Sequence, residues 1–125
     1  MSMSERVAIL GASDNPRRYA YRALDALTAH GHDVVLVNPQ LPEVAGHSCV
    51  AQLTDIDGAV DTITVYLRPE ISEPLSSAMI AARPRRVIFN PGTESPALKR
   101  DLETAGIRVQ WECTLVLLAT GQYDG

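Results

Sequence analysis

A chain of 125 residues with 46% hydrophobic and 21% charged side chains has the make-up of one ordinary globular domain, 1–125, and not of a disordered segment. A formal net charge of -4 and only 5% aromatics argue against nucleic acid or an anionic membrane surface as partner, because neither a basic face nor stacking rings are supplied. Two cysteines, Cys49 and Cys113, make no disulfide framework and lack zinc-ligand spacing. The opening MSMSERVAIL has no signal-like apolar stretch, and no run approaches the ~20 residues of a membrane span, so a cytoplasmic protein is expected.

VAIL (7–10) is a short apolar run closed by Gly11 and predicts a buried strand. Asn15-Pro16 then predicts a helix start, with Asn15 as cap and Pro16 in the first helical position. Ala20, Ala23, Leu24 and Leu27 follow at helical spacing, and Gly31 ends the helix. VVLV (34–37) predicts the second strand, stopped by Asn38-Pro39. From Gln40 to Gly58 the pattern is irregular, with at most a short strand near Cys49-Val50.

TITVYL (62–67) predicts the next strand, ended by Arg68-Pro69. Ile71, Leu75, Ala78, Met79 and Ala82 then fit one buried helix face, although Pro74 sits awkwardly within it. RVIFN (86–90) is a further strand, and Ser95-Pro96 repeats the cap-plus-proline start. Leu98, Leu102 and Ala105 form that helix's apolar stripe before Gly106. IRVQW (107–111) is the last clear strand, and a helical run follows from Thr114 to Thr120.

Strand–helix alternation of this kind predicts an α/β fold: a doubly wound, mostly parallel sheet of about five strands with helices on both faces. Ligands of such sheets bind outside the carboxyl ends of the strands. The informative residues are therefore those that follow each strand.

In GASDNPRRYAYRAL (11–24), the small residues Gly11, Ala12 and Ser13 allow close backbone approach, and the helix N-terminus behind them suits a phosphate. Arg17 and Arg18 fall where acids normally complement the helix dipole, an exception that a bound anion explains. The loop is no dinucleotide fingerprint, since Ser13 and Pro16 stand at the second and third glycine positions. Asn38 also replaces the acid that such proteins use on the ribose.

FNPGTES (89–95) and YLRPE (66–70) follow the later strands and reach the same end of the sheet. His30 and His32 flank the helix stop at the opposite end, and His47 lies in the irregular stretch. No Ser-His-Asp set, histidine pair or carboxylate pair stands out. Cys113, just after a strand, is the one candidate reactive thiol; a small, half-buried packing residue is the plainer reading.

In their order, VAILGAS with Asn15-Pro16, GHDVVLVNP, AGHSCVAQLTDI, VDTITVYLRPE, RVIFNPGTES and GIRVQWEC resemble the small stand-alone proteins of the CoA-binding domain family. The likeness runs from Arg6 to Cys113. The same Rossmann-like module opens the alpha subunit of succinyl-CoA ligase. The resemblance implies a cleft for coenzyme A, or an acyl-CoA. Gly11, Ala12 and Ser13 would contact its phosphates, and Arg17 and Arg18 its pyrophosphate or 3′-phosphate. Asn38 and Pro39 would lie by the adenosine, with Leu67, Arg68 and Pro69 as one wall and Asn90, Pro91 and Gly92 on the far side. The chain departs from many relatives at FNPGTES, where they carry a Trp-x-Gln-Gly segment. Nothing resembles the ligase's catalytic domain.

The expected function is thus a binding module without catalysis, with CoA as ligand and no metal. A Cys113-dependent redox protein and a nicotinamide-dependent oxidoreductase stand as alternatives. A second copy of the chain, or another protein, covering the edge strands and the apolar C-terminal run is a further expectation.

Overall fold

Val, Ile and Leu crowd the strands because both sheet faces are covered. The computed structural model describes residues 4–124. Met1–Met3, part of the stretch read for a targeting signal, and Gly125 lie outside the described residues. Strand β1 (Arg6–Leu10) pairs in parallel with β2 (Asp33–Val37) on one side and with β5 (Thr62–Val65) on the other. β6 (Arg86–Phe89) and β7 (Arg108–Trp111) extend the sheet beyond β5, also in parallel. On the far side, β4 (His47–Val50) runs parallel to β2, and β3 (Glu43–Val44) closes the edge antiparallel to β4. The order is β3-β4-β2-β1-β5-β6-β7.

The strand side chains alternate between two cores. Val7 and Ile9 pack with Ala23, Leu24 and Leu27 of α1 (Tyr19–Ala29) and with Leu117 and Leu118 of α5 (Thr114–Ala119). Ala8 and Leu10 face the other way, toward Met79 of α3 (Ser76–Ala81) and Leu98 and Leu102 of α4 (Pro96–Thr104). This is the doubly wound α/β arrangement with helices on both faces. No helix among the described residues is long and apolar enough to cross a membrane.

Three local expectations change. The sheet has seven strands where about five are expected, because the irregular stretch holds the β3–β4 hairpin. Its two-residue turn, Ala45-Gly46, has φ of 50° and 84°, the left-handed pair a tight hairpin requires. His47 accordingly starts a strand. The first helix begins at Tyr19 and not at Pro16. Asn15 accepts the Arg17 amide with Oδ1 (3.0 Å) and the Arg18 amide with its carbonyl (2.9 Å), which folds 15–18 into a turn. The helix expected from Ile71 to Ala82 is broken into α2 (Pro69–Ser72), a 3₁₀ turn at Glu73–Leu75, and α3. Pro74 has no amide proton to continue an α-helix, so the chain tightens there. Ile71 is consequently 46% exposed and not part of a buried face.

The amino ends of the strands carry a buried polar network. Arg86 donates to Thr62 Oγ1 (2.9 Å) and Gln110 Oε1 (2.9 Å) and pairs with Glu5 (3.3 Å). Arg85 also pairs with Glu5, and the Glu5 amide donates to His32 Nδ1 (2.9 Å). The Arg86 guanidinium lies 4.3 Å from the centroid of the Tyr123 ring. Every charge in this group has a partner, as burial demands. It sits at the opposite end of the sheet from the loops after the strands, so it anchors the fold and the C-terminal segment.

Candidate functional site

β1 has β2 on one side and β5 on the other, so the chain leaves its carboxyl end in one direction and returns in the other. The loops there diverge and open a crevice, the switch point of a doubly wound sheet. The turn after β1 is set by Gly11. Its φ is 95°, and a Cβ placed there would stand 2.8 Å from Leu67 Cδ2 and 3.3 Å from the Tyr66 carbonyl carbon. Only glycine accepts both the conformation and the approach.

The same turn is tied to the end of β2. The amides of Gly11 and Ala12 both donate to the Val37 carbonyl, at 3.1 and 3.2 Å. Asn38 Nδ2 donates to the Ala12 carbonyl at 2.7 Å, and Asn38 Oδ1 accepts the Gln40 amide at 2.7 Å. The Gly11 and Ala12 amides are therefore spent within the protein. Ala12 is buried, and Ser13 Oγ accepts the Asn15 amide at 3.1 Å. Beyond it, Arg17 and Arg18 are exposed. Arg18 is the N-cap of α1 and makes no side-chain cap bond, and the first turn of that helix holds no acid. The positive end of the α1 dipole thus has Arg17 and Arg18 beside it and no carboxylate in its first turn, the nearest acid in the preceding loop being the exposed Asp14.

A cavity of about 610 Å³ lies beside this turn. Gly11, Asn38, Pro39 and Leu67, of the thirteen positions proposed from sequence, line it. The opposite wall comes from segments that the sequence did not mark: Gln40, Ala51–Thr54, and Ile71, Leu75 and Ala78. Among these lining residues none is charged. Leu10, Val37, Leu53 and Leu67 make the wall mostly apolar, with amide and hydroxyl groups from Asn38, Gln40, Gln52 and Thr54. The Leu53–Asp55 3₁₀ turn that forms its side is held by reciprocal Gln52–Asp55 capping bonds.

The remaining proposed residues lie around the cavity or apart from it. Pro69 starts α2, and Arg68 is an exposed neighbour of Glu70 at 3.4 Å. Asn90 is 3% exposed and wholly occupied. It donates to Thr64 Oγ1 (2.7 Å) and the Val65 carbonyl (2.9 Å) and accepts the Thr114 amide (2.9 Å). It joins β5, β6 and α5 and holds the Pro91-Gly92 turn, whose residues are exposed. Gly92 donates its amide to Glu94 (2.9 Å).

Tyr66 flanks the turn on the α1/α5 face. Its hydroxyl is buried without a hydrogen-bond partner, while the nearby hydroxyls of Thr64 and Thr114 bond each other at 2.9 Å. Burial, only partly offset by those hydroxyls, pushes its phenol up to about 12. Cys113 is half-buried at the N-cap of α5. Burial and the Glu43 carboxylate push the Cys49 thiol up, which disfavours its thiolate.

A glycine turn, an uncharged cavity beside it and cations at a helix start without a side-chain cap thus come together at the switch point of a Rossmann-like sheet. Comparison with known proteins gives the family. Residues 5–119 match the model of the CoA binding domain, and the chain belongs to that family. It is 36% identical to a crystallised protein described only as uncharacterized, with a TM-score of 0.92 over 97% of this chain and 99% of that one. It is 34% identical over 70 residues to the uncharacterized protein YneT of Bacillus subtilis (strain 168). That stretch is 56% of this chain and 52% of YneT, so the match spans about half of that relative. The fold is also that of one part of the dinucleotide forming acetyl-coenzyme A synthetase 1 of Ca. Korarchaeum cryptofilum. There the TM-score is 0.72 at 21% identity, over 83% of this chain and 25% of the synthetase.

Proposed function

We propose that the protein binds coenzyme A, or an acyl-CoA, in the crevice at the carboxyl ends of β1, β2 and β5, and does no chemistry on it. One observation carries this reading: the cavity wall is uncharged, while the cations Arg17 and Arg18 lie beyond it on the Gly11–Arg18 segment at the start of α1. CoA has the same division, with neutral adenine and pantetheine groups on either side of a polyanionic diphosphate. The neutral part fits an apolar cavity with a few amide groups, and the phosphates fit the cationic helix start. No lining residue is a histidine, cysteine, acid or base, which favours holding a ligand over transforming it.

Isothermal titration tests the reading. The ligand-stripped protein is expected to bind CoA saturably, and dephospho-CoA more weakly. Binding of NAD without CoA would overturn it in favour of an oxidoreductase. Thioester turnover that is abolished by a cleft substitution would overturn the non-catalytic part. A redox role for Cys113 is the second reading, favoured by its partial exposure at the carboxyl end of β7, on the same end of the sheet as the cleft.

A further inference from the structure

We propose that Asn38 is a positioning residue: it sets the Gly11–Ser13 turn for the ligand by latching the Ala12 carbonyl and does not itself contact the ligand. This rests on the CoA-type reading of the cleft. Asn38 follows β2 and borders the cavity, where a ligand contact is the simple assumption. Its side chain, however, is used twice inside the protein. Nδ2 donates to the Ala12 carbonyl at 2.7 Å, 26 residues away, and Oδ1 accepts the Gln40 amide at 2.7 Å.

The two bonds do different jobs. The Gln40 bond is local and shapes the turn after β2. The Ala12 bond is tertiary and crosses from β2 to the loop that leads to α1. It works with the Val37 carbonyl, which takes the Gly11 and Ala12 amides from the other side of the same peptide segment. The turn is thereby held by its donors and by its acceptor. An aspartate, the residue of nicotinamide-binding proteins at such a position, has no proton to donate at neutral pH. It would set a carboxylate against the Ala12 carbonyl oxygen. The asparagine is thus required by the turn, whatever the ligand's ribose carries.

Asn38→Ser separates the two bonds. A serine hydroxyl still accepts the Gln40 amide in a turn but is too short to span to Ala12. Asn38→Ala removes both. Titration with CoA and with dephospho-CoA is paired with hydrogen exchange over residues 11–18, read without ligand. Positioning predicts that Asn38→Ser loses about three- to tenfold in affinity, the range one hydrogen bond supplies, and loses it equally for the two ligands. It also predicts faster exchange over 11–18 in both variants.

Loss confined to CoA would mark a direct contact with its 3′-phosphate and overturn the proposal. Unchanged affinity, or unchanged exchange, would overturn it too. If the wild-type protein binds neither ligand, the CoA reading fails. The exchange comparison then still decides on the latch.

Discussion

Replacing Tyr66 by phenylalanine should stabilise the protein and remove part of its sensitivity to alkali. The Tyr66 hydroxyl is buried with no hydrogen-bond partner, and its closest polar neighbours, Thr64 and Thr114, satisfy each other. A hydroxyl left unpaired in an apolar setting costs about 1–3 kcal/mol. Phenylalanine keeps the ring that packs against the α1/α5 core and omits the unpaired group. At pH 7 the variant should gain about 1 kcal/mol. The pH dependence follows from the phenol, which burial raises to about 12 in the folded protein. The unfolded phenol titrates near 10. Between those values the unfolded chain holds fewer protons, so stability falls as pH rises, by about 1.4 kcal/mol per unit. Tyr66 alone should therefore cost the wild type about 2–3 kcal/mol by pH 12, and the phenylalanine variant should be spared it. Tyr123, whose buried phenol is also raised, and the Cys49 thiol add alkaline sensitivity of their own, but both proteins share them, so the difference between the two reports Tyr66. Urea unfolding of both proteins at pH 7, 9, 10.5 and 11.5 gives the answer. A variant less stable at pH 7, or one with an alkaline slope as steep as the wild type's, would refute the argument.

Arg17→Ala combined with Arg18→Ala should weaken CoA binding about tenfold or more, the scale of charge-assisted bonds, and flatten its salt dependence. Both side chains are exposed, so the melting temperature should hardly move; unchanged affinity would relocate the phosphate site. Gly11→Ala should destabilise by about 1–3 kcal/mol in denaturant titration, because it combines a left-handed φ with a Cβ that presses on Leu67 and the Tyr66 backbone. A loss below about 0.5 kcal/mol would show that the turn relaxes. Diamide oxidation with CoA present tests the redox reading: Cys113 and the CoA thiol each give up a hydrogen to diamide and join in a mixed disulfide. Mass spectrometry should find that adduct on Cys113 and not on Cys49, whose thiol is held protonated by burial and Glu43; an adduct only on Cys49, or none, rejects it.

The strands and the ends of the helices were legible because their signals are local. VAIL closed by Gly11, VVLV stopped by Asn38-Pro39 and Ser95-Pro96 at a helix start each carry the reason for their shape within a few residues. Ser95 indeed caps α4, accepting the Leu98 amide at 3.2 Å. The failures were also local, but they arose from competition between two legal choices. Asn15-Pro16 is as good a turn as it is a helix start, and the Arg17 and Arg18 amides settled it by bonding Asn15. Pro74 marks a disturbance of the helical pattern by itself, but the sequence does not say whether the helix shortens, shifts or breaks; in the structure it breaks at the Glu73–Leu75 turn.

The candidate site divides along the same line. The part of the cleft that follows β1, β2 and β5 could be read, since every doubly wound sheet puts ligands there. The facing wall could not, because Gln52, Leu53 and Thr54 meet Ile71, Leu75 and Ala78 only when two segments far apart in the chain close on one another. Their spacing spoke for packing and not for a cavity. Asn38 and Asn90 show a further limit. Both stand before a proline at a strand end, and both attract a ligand-binding reading by position. In the folded protein each carboxamide is bonded at both its nitrogen and its oxygen to backbone or hydroxyl partners. A polar side chain at the mouth of a cleft can serve the loops that form the cleft, a role that its position in the sequence does not distinguish from a ligand contact. Here the loops are held by these two residues, which is why the proposed phosphate contacts are sought at the start of α1 and its two exposed arginines, where the double substitution tests them.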